Sequence, residues 1–150
     1  MNAPPTAVGA EAASALAALH AEAFDRPWDA DAFAGLLRAP GTLALWAEGD
    51  GFILVQAVVD EAEVLTLAVR PAARRRGLGR TLLEAAAARL AALGVRTLRL
   101  EVAQDNPAAL ALYEAASFRR AGRRLGYYAR PDAPAVDAEV LARTLNTPPV

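Results

Sequence analysis

A strand-like run ending at Val69 is followed by Arg74-Arg75-Arg76-Gly77-Leu78-Gly79-Arg80, and then by apolar residues at helical spacing. This unit constrains the fold more than any other stretch. Leu82, Leu83, Ala86, Leu90 and Leu93 form one stripe of a helix that Gly94 ends. Gly77 and Gly79 let the backbone approach an anion closely, while the helix start offers free N–H groups and the positive end of its dipole. Arg74, Arg75, Arg76 and Arg80 add positive charge at the same point. A strand, a phosphate-type loop and a helix in this order require a helix packed on a sheet, so the chain is read as mixed α/β.

The flanking segments fit that reading. Glu11 to Phe24 and a stretch from the cap Asp29 to about Leu37 are expected as helices, broken by Asp25-Arg26-Pro27. Three strands are expected next, at Thr42 to Ala47, Phe52 to Val59 and Glu63 to Val69, with turns at Gly49-Asp50-Gly51 and Asp60-Glu61. After the long helix, Thr97 to Ala103 alternates as a strand, and Asn106-Pro107 caps a helix that runs to about Ala116. Two last strands, Phe118 to Tyr128 and Val136 to Leu145, would bracket a loop at Arg130-Pro131-Asp132-Ala133-Pro134. Met1 to Thr6 and Asn146 to Val150 read as frayed ends. The 150 residues are taken as one domain, residues 1–150.

Composition narrows the function classes. A net charge of −1 offers no basic footprint for nucleic acid, and the absence of cysteine removes disulfides, thiolate catalysis and cysteine-ligated zinc. The first positive residue is Arg26, which argues against a secretory signal, and Glu84 and Arg89 interrupt the longest alanine/leucine segment, which argues against a membrane span. A cytoplasmic protein without a metal is expected. All 16 basic residues are arginine, so arginine abundance alone signals nothing.

Three anionic ligands compete for the glycine loop. The P-loop needs Lys-Ser/Thr after its last glycine, and Arg80-Thr81 stands there. The dinucleotide fingerprint needs a small residue where Leu82 stands, although Glu101 lies near the ribose-binding spacing. The third ligand is the pyrophosphate of coenzyme A, whose Arg/Gln-x-x-Gly-x-Gly/Ala signature the loop matches. From about Leu65 to Tyr128 the chain resembles the GNAT acetyltransferases, of the RimI type that acetylates ribosomal-protein alanine. The resemblance rests on Leu67-Ala68-Val69, the run from Arg75 to Leu83, Leu100-Glu101-Val102, Asn106-Pro107-Ala108-Ala109, Ala111-Leu112-Tyr113-Glu114 and Tyr127-Tyr128. Phe24 to Phe33, with Pro27-Trp28 inside it, is similar to the peptide-side loop of the same family.

The resemblance implies a GNAT fold, a twisted mixed sheet flanked by helices, with acetyl-coenzyme A as co-substrate. Backbone groups of Leu67, Ala68 and Val69 would hold the acetyl and pantetheine end, and residues from Arg74 or Arg75 through Gly77, Leu78 and Gly79 to Arg80 would cradle the pyrophosphate. Asn106 would contact the coenzyme arm, Glu101 would be the general base and Tyr113 the general acid. The acceptor would be a protein N-terminus, the alanine of a small-subunit ribosomal protein. One departure is Ser117 before Phe118, where the family has glycine; a left-handed residue there costs serine about 1 kcal/mol.

The chemistry suits an α-amine. At neutral pH roughly one α-amino group in seven is neutral, against about one lysine in two thousand, so a carboxylate base serves the former better. Val69 N–H is the natural oxyanion donor. Without the resemblance, Glu101 beside Arg99 reads as a solvated strand residue and Tyr113 beside Leu110 as a core aromatic. The lone His20 is expected to pack, and Arg119, Arg120, Arg123 and Arg124 to form a solvated strand edge. Trp28, Tyr127, Tyr128 and the acidic Asp25, Asp29 and Asp31 are expected around a peptide groove. Two other readings remain: a GNAT enzyme acting on a small amine or lysine, and a non-catalytic coenzyme A-binding sensor.

Overall fold

A computed structural model describes residues 3–145, so the expected fraying at 146–150 lies outside the described residues. The elements run β1 (Thr6–Ala7), α1 (Ala13–Ala23), α2 (Ala30–Arg38), β2 (Thr42–Ala47), β3 (Gly51–Val58), β4 (Glu61–Val69), α3 (Leu78–Ala92), β5 (Thr97–Ala103), α4 (Pro107–Ala115), β6 (Arg119–Arg130) and β7 (Ala133–Thr144). Seven strands make one sheet in the order β1-β2-β3-β4-β5-β7-β6, antiparallel throughout except for β4 beside β5. The expected mixed sheet flanked by helices is what the chain forms.

Apolar alternation on the strands builds two cores. Ile53, Val55, Leu98 and Leu100 face α3 and α4, where Leu82, Leu83 and Leu90 meet them. Phe52, Leu54 and Ala68 face α1 and α2, where Leu16, Leu19 and Phe33 cover them. Several boundaries differ from expectation by one to three residues, and two differences have a clear cause. Thr6–Ala7 pairs with Leu45–Trp46 instead of fraying, because the edge of β2 offers free backbone groups. The loop expected at 130–134 shrinks to Pro131-Asp132, since Arg130 and Ala133 already pair across the β6–β7 hairpin.

Two irregularities of β4 position the site. Leu54 pairs with Thr66 and Val55 with Val64, so Leu65 is an extra residue, a bulge. A one-residue insertion switches which face each later side chain takes. Ala62 and Val64 therefore point to the α3 core, Thr66 and Ala68 to the α1 side, and Leu67 and Val69 return to the α3 side. The second irregularity is that β4 pairs with β5 only from Glu61↔Thr97 to Glu63↔Arg99. Beyond that point the two strands part, and the sheet opens into a wedge.

Candidate active site

The wedge is the mouth of a cleft of about 1280 Å³ whose lining joins β4, the glycine loop, β5, α4 and the β6–β7 hairpin. Its backbone edge follows from the ladder. Arg70 N–H donates to Asp50 O, toward β3. Alternation in an antiparallel pair then turns the N–H and C=O of Val69 and Leu67 the other way, onto the open edge. Val69 O confirms the direction by accepting from Arg74 Nε at 3.2 Å.

At the top of β4 the loop winds through two left-handed residues, Arg75 at φ 67° and Gly77 at φ 76°, which bracket Arg76. Gly77 is the N-cap of α3 and no side chain caps that helix, so its first N–H groups face the cleft without a protein acceptor. Free donors at a helix start, with Arg75 and Arg80 beside them, form an anion cradle. Gly79 serves a different purpose. A Cβ there would stand 3.2 Å from Leu112 Cδ2, so the glycine lets α4 pack against the start of α3. Arg74, Arg75, Gly77, Leu78, Gly79 and Arg80 line the cleft, but Arg76 does not. Arg76, between the two left-handed residues, is exposed like Arg74, Arg75 and Arg80.

From α4, Tyr113 enters the same cleft and rests edge-on against Phe118, ring centroids 5.7 Å apart. Burial, with Tyr128 nearby, pushes its phenol up to about 12, so it holds its proton at neutral pH. Asn106 lines the cleft and caps α4, its Oδ1 accepting from Ala109 N at 3.1 Å. Glu101 lies on the floor at the wedge, one fifth or less exposed (16%), and its Oε1 meets Arg124 Nε at 2.9 Å. The sequence placed Arg99 beside it, but Arg99 reaches Glu61 at 3.1 Å instead.

Arg119, Arg120, Arg123 and Arg124 of β6 lie exposed on the edge strand of the sheet, as expected, and three of them also make specific pairs. Arg120 and Arg123 clamp the carboxylate of Glu139, buried at 3% side-chain exposure, through bonds of 2.6 and 2.9 Å, and hold it below its ordinary value. Arg130 makes a two-bond fork to Asp105, at 3.0 and 2.7 Å, and so ties the hairpin to the turn before α4. Those anchors set Tyr127 and Tyr128, which line the cleft with ring centroids 5.0 Å apart. Burial foremost, then the charge of Glu101, raises the Tyr128 phenol.

Across the cleft stands the segment between α1 and α2. Phe24, Arg26 and Trp28 line the cleft, while Asp25, Asp29 and Asp31 do not. Asp29 is instead the cap of α2, accepting from Ala32 N at 2.8 Å. His20 holds this segment in place. Its Nδ1 accepts from Trp28 N–H at 3.1 Å, which assigns the proton to Nε2, and Nε2 donates to Thr66 Oγ1 at 3.1 Å. The ring stacks on Phe24 and Trp28 at 4.3 and 5.1 Å, and burial lowers its pKa from 6.5. His20 packs, as expected, and in doing so ties the loop to β4.

Among the lining residues that sequence reasoning passed over is Glu63 on β4. Its signal was the Glu61-x-Glu63 repeat, in phase with Arg99 and Glu101, and the bulge at Leu65 hid that phase. Among the described residues no cluster of metal-ligating side chains occurs, and no helix is long and apolar enough to cross a membrane.

Comparison with known proteins agrees with this geometry. The model of the Acetyltransferase (GNAT) family matches residues 12–118. The Escherichia coli (strain K12) "[Ribosomal protein bS18]-alanine N-acetyltransferase" is 47% identical over 81 residues, 54% of this chain and 55% of the relative. The aligned part thus spans about half the length of that curated relative. "N-alpha-acetyltransferase RimI" of Mycobacterium tuberculosis is 38% identical over 122 residues, 75% of each chain. The crystal structure of the ribosomal-protein-S18-alanine N-acetyltransferase from Escherichia coli superposes with a TM-score of 0.89 at 34% identity, covering 99% of this chain and 97% of that one. This chain belongs to the GNAT acetyltransferase family, which uses acetyl-coenzyme A.

Proposed function

We propose that this protein transfers the acetyl group of acetyl-coenzyme A directly to the N-terminal α-amine of a protein, the alanine of a small-subunit ribosomal protein. The observation that carries the reading is the wedge itself. It brings the unpaired edge at Leu67 and Val69, the protonated Tyr113 and the carboxylate of Glu101 into one cleft. The acceptor comes from the names of the relatives in Escherichia coli and Mycobacterium tuberculosis.

In this reading residues 1–150 act as one domain, in the cytoplasm where such a substrate is made. The free N–H groups of α3 with Arg74, Arg75 and Arg80 take the pyrophosphate, and Asn106 takes the coenzyme arm. The amine nitrogen attacks the thioester carbon, forming the C–N bond, and Val69 N–H steadies the oxyanion. Glu101, directly or through water, takes the proton the nitrogen sheds. The C–S bond then breaks, and Tyr113 O–H protonates the departing thiolate. Arg124 holds the Glu101 carboxylate in place.

The test uses two peptides, one with a free N-terminal alanine and blocked lysines, the other with a blocked N-terminus and a free lysine. Products are read by mass spectrometry. Acetylation of the first alone, lowered on the order of a hundredfold by Tyr113→Phe and weakened by Glu101→Gln, is expected. Modification of neither peptide, with coenzyme binding intact, would overturn the α-amine assignment and favour a small amine or a sensor.

A further inference from the structure

The floor of the acceptor face carries three carboxylates, Glu61, Glu63 and Glu101, and two guanidiniums, Arg99 and Arg124. All five line a second cavity of about 270 Å³ that shares Glu63 and Glu101 with the main cleft. The pairing is uneven. Arg99 is spent on Glu61 and Arg124 on Glu101, which leaves Glu63 without an ion-pair partner among the described residues. Three negative charges less two positive ones leave one negative charge in the cavity, and it resides on Glu63.

Strand register fixes where that charge lies. Glu63 pairs with Arg99 at the last rung before β4 and β5 part, two residues short of Glu101 along β5. The order down the floor is therefore the open edge at Leu67–Val69, then Glu101, then Glu63. A chain that leaves an amine held beside Glu101 and runs along the floor away from the open edge passes over Glu63, which is exposed in the same cleft. The bulge at Leu65 is what turns Glu63 onto this face; unbroken alternation would set it on the same face as Leu67 and Val69.

We propose that Glu63 is a specificity-determining residue of the acceptor site, taking the positive charge of a basic side chain next to the reacting amine. The inference rests on the N-terminal α-amine reading above. Burying an arginine or lysine head beside an unpaired carboxylate, with the cavity otherwise neutralised, favours a basic residue and disfavours an acidic one. It also supplies the acidity that Asp25, Asp29 and Asp31 do not bring to the cleft.

The experiment compares kcat/KM for three peptides that differ only after the N-terminal alanine, Ala-Arg, Ala-Gln and Ala-Glu, using the full chain with and without Glu63→Gln and Glu63→Arg. Coenzyme affinity by calorimetry reports that each variant is folded. The intact protein is expected to prefer Ala-Arg to Ala-Gln by about fivefold, through KM. Glu63→Gln removes that preference, and Glu63→Arg turns it toward Ala-Glu. Equal rates for the three peptides in the intact protein, or an equal loss on all three in Glu63→Gln, would overturn the role of Glu63 and leave the α-amine reading standing. Failure of the intact protein on every peptide overturns the α-amine reading and this proposal with it.

Discussion

The coenzyme side of the cleft and the acceptor side are built on opposite plans. On the coenzyme side the working groups are backbone: the free edge of β4, the left-handed Arg75 and Gly77, and the uncapped start of α3. Arg75, Arg76 and Arg80 have no ion-pair partner among the described residues. On the acceptor side four arginines of the hairpin are matched within the protein, Arg120 and Arg123 to Glu139, Arg124 to Glu101 and Arg130 to Asp105, while Arg26 and Glu63 have no ion-pair partner among the described residues. The difference follows from the ligands. A pyrophosphate brings its own charge and needs donors left open for it, whereas a peptide needs a surface whose side chains are held in position before it arrives.

That contrast can be broken from either side. The largest effect is expected at Gly79. Gly79→Val adds branches where even a Cβ stands 3.2 Å from Leu112 Cδ2, so the Leu112 side chain must give way and the contact between α4 and the loop is disturbed. Overpacking of about 1–3 kcal/mol translates into up to about a hundredfold weaker coenzyme binding by calorimetry. Unchanged affinity would mean that the loop does not depend on its contact with α4.

On the other side, His20→Ala removes both hydrogen bonds of the latch between Trp28 and Thr66. The acceptor KM is expected to rise about tenfold while coenzyme affinity holds, with partial recovery in His20→Gln. A parallel fall in coenzyme affinity would show that the two sides are one unit. The latch also carries a pH signature. The folded pKa of His20 lies below 6.5, so as pH falls the unfolded chain takes up the proton first. The contribution of His20 to stability is therefore full above 6.5 and is lost as pH drops below it toward the folded value. Denaturant unfolding at a series of pH values should show that slope in the native protein and a flatter one in His20→Ala.

The two plans also differ in how far the sequence discloses them. Backbone devices leave marks in the chain, because only certain residues tolerate them: Gly77 at the left-handed cap, and Asn106-Pro107 at the start of α4. Side-chain matching leaves none. That Arg120 and Arg123 meet Glu139 depends on the register of β6 on β7, which shifts between Arg120 and Gly122. The doubled arginines read only as a solvated edge, which they are, until the pairing shows two of them also clamping Glu139. Glu63 was hidden for the same reason, since a single inserted residue at Leu65 reverses the face it takes.

The smallest effect tests the joint between the two sides. Ser117 follows α4, which carries Tyr113, and leads into β6, which carries the hairpin. It sits at φ 71°, the left-handed position expected for a residue that replaces glycine. Its N–H donates to Glu114 O at 3.1 Å, and the next N–H, of Phe118, donates to Tyr113 O at 3.0 Å, so the cap is fully bonded in spite of the strain. Ser117→Gly relieves about 1 kcal/mol of that strain but gives back part of it as added freedom in the unfolded chain. A net gain of a few tenths of a kcal/mol, seen as a melting temperature raised by about one degree, is the expected result. If kcat also changes while coenzyme affinity and acceptor KM stay fixed, the strained serine sets the pose of Tyr113. A lower melting temperature would instead mean that the exposed serine side chain contributes more than its backbone costs.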